Sequence, residues 1–219
     1  MMSEQDIGGI ARTRPLATFP SDASLLQVAI ALATGSHIVG IMDQNGGLKH
    51  VLTQGRLVHF LGNELDCLQL QVKCAMSAPV VAVQSTMLTH EAFSIMAERG
   101  ISSICIVDSE GEILYNLSST DAALYFLGGE PFQDLGLMLE DWMAAKQSAN
   151  AKASTAATIR TCDEDDDLSS VIQRMSKASF HRMWVTRDKK PCGVLSMTDV
   201  FSILVVGEEA PEKSECNVS

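Results

Sequence analysis

Two short stretches carry residue types that can cap a helix or meet a bound ligand: Ser118-Ser119-Thr120-Asp121 and Ser196-Met197-Thr198-Asp199. A Ser three residues ahead of an Asp, with an apolar run behind it, has the capping-box spacing that opens a helix. Upstream of the second stretch, Phe180-His181-Arg182-Met183-Trp184-Val185 sets two adjacent basic residues at the start of an apolar strand. Net charge is −11, so any bound anion needs a local cluster of this kind. There is no P-loop, no G-x-S-x-G elbow and no metal-spaced His/Cys set. The His-Ser-Asp grouping at a helix start matches a catalytic triad in composition only. The chemistry open to these residues is capping or ligand binding, and the two are compatible. The acidic run Asp163 to Asp167 reads as a solvated helix N-terminus, which the macrodipole favours, rather than as a metal site.

The elements that must position these residues recur. Ile101 to Val107 and Ile113 to Leu117 read as strands around the acidic-Gly turn Asp108-Ser109-Glu110-Gly111, a hairpin signal, with a helix opening at Ser118. Leu195-Ser196-Met197-Thr198-Asp199 repeats Leu117 to Asp121 at an offset of about 78 residues. A weaker copy lies upstream, where His37 to Asp43 precedes Leu52 to Arg56, at an offset of 65. Each copy follows a helical segment: Leu25 to Thr34, Glu91 to Arg99, and Leu168 to Lys177. The unit is strand, helix, strand, strand, helix, present three times. The first of these helices, LLQVAIALATG, is apolar almost all round, which predicts burial on more than one face.

The chain has 219 residues, 46% hydrophobic and 5% aromatic, with a mean hydropathy of +0.13, enough for a sizeable aliphatic core. The acidic balance argues against a nucleic-acid or acidic-membrane binder, either of which needs a basic footprint. Six scattered cysteines (Cys67, Cys74, Cys105, Cys162, Cys192, Cys216) form no C-x-x-C pair and read as reduced thiols. The N-terminus lacks an apolar targeting core, and no window reaches about 18 uninterrupted apolar residues. The expectation is a soluble protein of the cytoplasm, with the nucleus as a second location.

With these residues in view, the chain resembles cystathionine-β-synthase (CBS) domain repeats, and more closely the γ subunits of AMP-activated and Snf1-type kinases. FPSDASLLQVAIAL, LKHVLTQGRLVHFL, PFQDLGLMLEDWM and FHRMWVTRDKKPCGVLSMTDVFSIL are similar to γ-subunit segments in the family's order, and the resemblance is collinear from about Arg14 to Gly207. That subunit carries four repeats, of which these three are like the second, third and fourth. The resemblance implies an α/β (α+β) fold with repeats two and three forming a Bateman module and repeat one unpaired. It also implies AMP, ADP or ATP in a cleft between repeats, with no cofactor and no catalytic activity. On the family's pattern, Asp121 and Asp199 accept hydrogen bonds from ribose hydroxyls, and Ser118 and Ser196 contact phosphate together with the helix N-terminus. His181 and Arg182 bring positive charge to the phosphates. His37, Ser102 and Thr86 are carried over as further nucleotide contacts. Two departures stand out: Ile38 follows His37 where the family usually has Arg, and Arg56 occupies repeat one's ribose-Asp position, as a basic residue does in the family's second repeat.

The domain reading is a disordered 1–13, repeats at 14–62, 78–128 and 158–206, a linker helix and loop at 129–157, and an acidic tail at 207–219. Gly62 to Ser77 reads as a linker with little pattern. The functional expectation is a non-catalytic, nucleotide-sensing regulatory subunit whose partners are a catalytic α-type and a scaffold β-type subunit. The alternative is a CBS-domain interaction protein that has lost sensing. Repeat one's apolar surface, lacking its mate, predicts either pairing with another chain, self-association included, or a sequence truncated before its first repeat.

Overall fold

A computed structural model describes residues 16–61, 70–122, 135–149, 159–178 and 180–206. The expectations for 1–13 and for the tail lie outside the described residues, as do residues 150–157 of the expected linker loop, Cys67 and Cys216. The elements are β1 (Ala17–Pro20), α1 (Leu25–Ala33), β2 (Ile38–Met42), β3 (Leu48–Thr53) and α2 (Gln54–Leu61), then β4 (Ala82–Gln84), α3 (Thr89–Glu98), β5 (Ser103–Val107) and β6 (Ile113–Ser118). There follow α4 (Leu139–Ala149), β7 (Thr161–Asp163), α5 (Leu168–Lys177), β8 (Arg182–Arg187), β9 (Lys190–Ser196) and α6 (Met197–Val206). They make three three-stranded sheets, ordered β1-β2-β3, β4-β5-β6 and β7-β8-β9. In each, the first pair is parallel, as a strand-helix-strand crossover requires.

The repeat is visible in its turns. Asp108 Oδ1 accepts from the backbone N–H groups of Glu110 and Glu112, and Gly111 has φ 82°. Asp43 Oδ1 does the same for Asn45 and Gly47, with Gly46 at φ 77°. The third hairpin instead turns on Asp188 and Lys189, both at positive φ. Helix starts follow local chemistry. Ser24 and Gln27 form a reciprocal capping box for α1, and Asp167 caps α5 by accepting from the Ser170 N–H at 2.8 Å. The acidic run is thus spent on backbone and on the Glu164–Arg187 pair, whose Nη2 to Oε2 contact is 2.6 Å.

The chain divides into two compact units. The first takes residues 1–75, 167–181 and 196–219, and the second takes 76–166 and 182–195. In the first, α1 packs on α6, and α2 packs on α5 and α6. Contrary to the expectation for α1, burial is confined to Val28, Ala29 and Leu32, while Leu25, Leu26 and Ile30 stay exposed. Among the described elements, α6 and, less extensively, β2 pack against α1. The described part of the supposed linker, 70–77, is structured: the Leu168 N–H donates to the Leu70 carbonyl, and the following 3-10 turn buries Val72.

In the second unit, one core gathers Val83, Ala92, Met96, Ile104, Ile106 and Leu117 from repeat two with Leu139, Trp142 and Met143 of α4. The linker helix expected within 129–157 is therefore part of repeat two's core, and it spans Leu139–Ala149. It is seated by the Leu139 N–H to Met87 carbonyl bond and by a T-shaped Phe93–Trp142 contact at 6.1 Å. A second cluster, Cys105, Val107 and Trp184 flanked by Val80, Ile113, Ile159 and Val194, joins the sheets of repeats two and three.

Cys105 is fully buried there, and burial pushes its thiol up to about 12 from 9.0. Above about pH 9 the unfolded chain releases a proton that the folded chain keeps. The contribution is therefore whole below pH 9 and is lost as pH rises toward 12. By pH 10 the loss is about 1.4 kcal/mol. Urea unfolding at pH 8 and pH 10 should show this drop in the wild type and a smaller one in Cys105→Ala; equal drops would rule out the thiol as its source. Cys74, Cys105, Cys162 and Cys192 are not joined in disulfides. Among the described residues, no helix is long and apolar enough to cross a membrane, and no group of three or more His, Cys, Asp or Glu is placed to hold a metal.

Candidate functional site

The three repeats hold their candidate residues at one register position. The N–H of Gln54, Ser119 and Met197 donates to the carbonyl of His37, Ser102 and His181, respectively, at 3.0–3.1 Å. His37, Ser102 and His181 are therefore structural equivalents, and so are their successors Ile38, Ser103 and Arg182, each the first residue of a middle strand.

In the second unit, Arg182 Nη2 donates to Ser102 Oγ at 2.9 Å, and Nη1 donates to Ser103 Oγ. The guanidinium is half-buried, and burial alone holds it below its ordinary value. It nevertheless stays charged at neutral pH. Among the described residues its hydrogen bonds go to hydroxyls and to no carboxylate. Ser103 sits opposite Ser118 in the β5-β6 ladder, so Arg182 and Ser118 approach the same end of that sheet. Ser118 donates both its N–H and its Oγ–H to Asp121 Oδ2, each at 2.8 Å. Lys146 of α4 donates to Asp121 Oδ1 and lies 5.8 Å from the Trp142 ring centroid. Spacing gave no hint of Lys146, which reaches Asp121 only because α4 joins repeat two's core.

In the first unit, Ser196 donates its N–H (2.8 Å) and Oγ–H (2.6 Å) to Asp199 Oδ2, and the Asp199 N–H returns a bond to Ser196 Oγ at 3.3 Å. Both Ser-x-x-Asp pairs thus cap helices through one carboxylate oxygen. His181 is exposed just before β8. His37 Nδ1 meets Gln54 Oε1 at 3.1 Å, while Gln54 Nε2 donates to the Leu32 carbonyl and to Thr198 Oγ1. The Leu32 carbonyl only accepts, which orients the amide and makes His37 Nδ1 the donor. Gln54 and Thr198 escaped the sequence reading, because a Gln at a helix start carries no distinguishing pattern. Thr86 stands exposed in the turn between β4 and α3.

These positions can be set beside known proteins. Residues 72–128 and 156–206 match the CBS domain family. The chain is 26% identical over 205 residues to protein sds23 of Neosartorya fischeri, covering 85% of this chain and 37% of that one. It is 24% identical over 176 residues to the 5'-AMP-activated protein kinase subunit gamma of Saccharomyces cerevisiae, covering 78% and 50%. The chain thus spans half or less of the length of these curated relatives. Among solved structures, protein MJ1225 of Methanocaldococcus jannaschii superposes with a TM-score of 0.68 at 15% identity, over 87% of this chain and 68% of that one, a likeness of fold. With three equivalent strand-helix-strand-strand units and two of them matched directly, the chain is a CBS-domain protein close in sequence to the γ subunits of AMP-activated protein kinase.

Proposed function

We propose that the chain is a non-catalytic regulatory subunit of the γ type that binds AMP, ADP and ATP and acts with catalytic α-type and scaffold β-type subunits of a Ser/Thr kinase in the cytoplasm or nucleus. The observation that carries the reading is Arg182, a half-buried cation whose described partners are two hydroxyls. A charge removed from water at such a cost calls for an anion, and a phosphate suits the guanidinium's fork. Within the second unit Ser102 and Ser118 border it, Asp121 is the ribose acceptor and Thr86 a further contact; within the first unit Asp199 is the ribose acceptor, with His181, Ser196 and His37 as contacts. AMP and ATP compete for these groups and bias the kinase only through their differential affinity for its two states.

Calorimetric titration with AMP, ADP and ATP tests this on the wild type, Asp121→Asn and Asp199→Asn. Asn still accepts the capping bond, so the helices keep their starts while the charge-assisted ribose contact is lost. Affinity is expected to fall about tenfold in at least one variant. Unchanged affinity in both would remove the carboxylates from the site. A folded wild type that binds no nucleotide would favour the second reading, a CBS-domain interaction protein without sensing. That reading draws support from the Lys146 ammonium already on Asp121 and from the similarity to sds23.

A further inference from the structure

We infer that Gln54 is a positioning residue of the candidate nucleotide site in the first unit: it clamps the His37 ring so that Nε2, and not Nδ1, is the nitrogen that meets the ligand. Gln54 opens α2, is 5% exposed, and holds His37 at two points. Its N–H donates to the His37 carbonyl at 3.1 Å, and its Oε1 accepts from His37 Nδ1 at 3.1 Å. The amide is itself fixed, because its Nε2 donates to the Leu32 carbonyl at 2.9 Å and reaches Thr198 Oγ1 at 3.1 Å. Leu32 lies in the last turn of α1, where a helix leaves its carbonyls without internal partners. Turning the amide over would set oxygen against oxygen in a buried place, at the cost of an unmade hydrogen bond. His37 itself is exposed, and among the described residues its Nε2 has no partner.

The other repeats show what Gln54 adds. Ser119 and Met197 hold the same position and make the same backbone bond, to Ser102 and His181, but neither carries an amide. The ring clamp therefore belongs to repeat one. An exposed imidazole at the head of a strand is otherwise free to turn about its terminal torsion and to move its proton between nitrogens, and the bond made at one nitrogen sets the role of the other. The clamp serves both kinds of contact: Oε1 accepts from Nδ1–H whether Nε2 accepts from a ligand hydroxyl or, carrying a proton of its own, donates to a phosphate oxygen. A ring already fixed loses less freedom when the ligand arrives. The same amide reaches Thr198 in the first turn of α6, beside Asp199. One side chain thus ties His37 of repeat one to the helix of repeat three that carries the proposed ribose acceptor. Its ligand is the nucleotide of the proposed function, on which this role rests.

Long-range proton–nitrogen correlation spectra of the imidazoles in the full chain test the clamp without ligand, His37 being assigned from its loss in His37→Ala. At pH 8 the wild type is expected to show His37 protonated at Nδ1, and Gln54→Met a mixture of the two tautomers. Calorimetric titration with AMP tests the positioning. Gln54→Met is expected to weaken AMP binding about tenfold in the wild-type background and less than about twofold in His37→Ala, because the clamp then has nothing to hold. A residue that only supports the fold would cost the same in both backgrounds. A wild-type ring protonated at Nε2 overturns the clamp, whether or not any variant folds. Equal costs in the two backgrounds overturn the positioning role and leave AMP binding, and with it the nucleotide reading, in place. A folded wild type that binds no AMP removes that reading and takes the positioning role with it.

Discussion

Trp184→Ala is expected to destabilise the second unit by about 3–5 kcal/mol. Trp184 is 4% exposed and packs with Cys105 and Val107 where the sheets of repeats two and three meet. Its Nε1–H also donates to Asn116 Oδ1 at 3.1 Å. Truncation removes the ring's apolar burial, leaves a cavity between two sheets that cannot easily collapse, and strips Asn116 of its donor. Trp184→Phe keeps most of the ring and loses the indole donor, so its cost should be smaller, about 1–2 kcal/mol. Denaturant unfolding followed at several wavelengths measures both. A loss under about 1 kcal/mol for the alanine variant would mean that other contacts hold the two sheets together. Because Arg182 lies two residues before Trp184 on β8, on the same face, a loosened Trp184 also loosens the guanidinium.

Arg182→Met separates binding from stability. If the guanidinium is held for a phosphate, its loss lowers AMP and ATP affinity about tenfold to a hundredfold, the worth of a charge-assisted contact. In the absence of nucleotide the same change removes a desolvated cation whose described partners are hydroxyls and substitutes an apolar chain of similar length. Stability should therefore hold or rise slightly. Most substitutions at a half-buried position destabilise, so the combination is diagnostic. A variant that binds as tightly as wild type would dissociate Arg182 from the ligand. One that binds weakly because it is unfolded would show its defect in the ligand-free melting curve.

Pattern in the chain was enough to find the repeats and their helix starts. The box at Ser196 and Asp199, the turn at Asp108 and Gly111, and the helix Leu168–Lys177 depend on partners within four residues of one another or on one face of one helix. Such contacts leave a fixed spacing in the sequence. Internal repetition then checks each assignment against its copies, and His37, Ser102 and His181 do share one backbone position.

What only the tertiary structure decided is which of those residues meet. Lys146 reaches Asp121 across 25 residues, and Arg182 reaches Ser102 across 80, separations that no local periodicity records. The supposed linker helix became core because Leu139, Trp142 and Met143 found apolar partners in repeat two. For α1, the apolar sequence predicted burial on more than one face, yet burial depends on what is packed against each face: α6 and β2 pack on the helix, and Leu25, Leu26 and Ile30 stay exposed. The capping chemistry, the turn glycines and the threefold unit were thus determined by local sequence. The cation seated on serines and the lysine on the carboxylate follow from long-range packing.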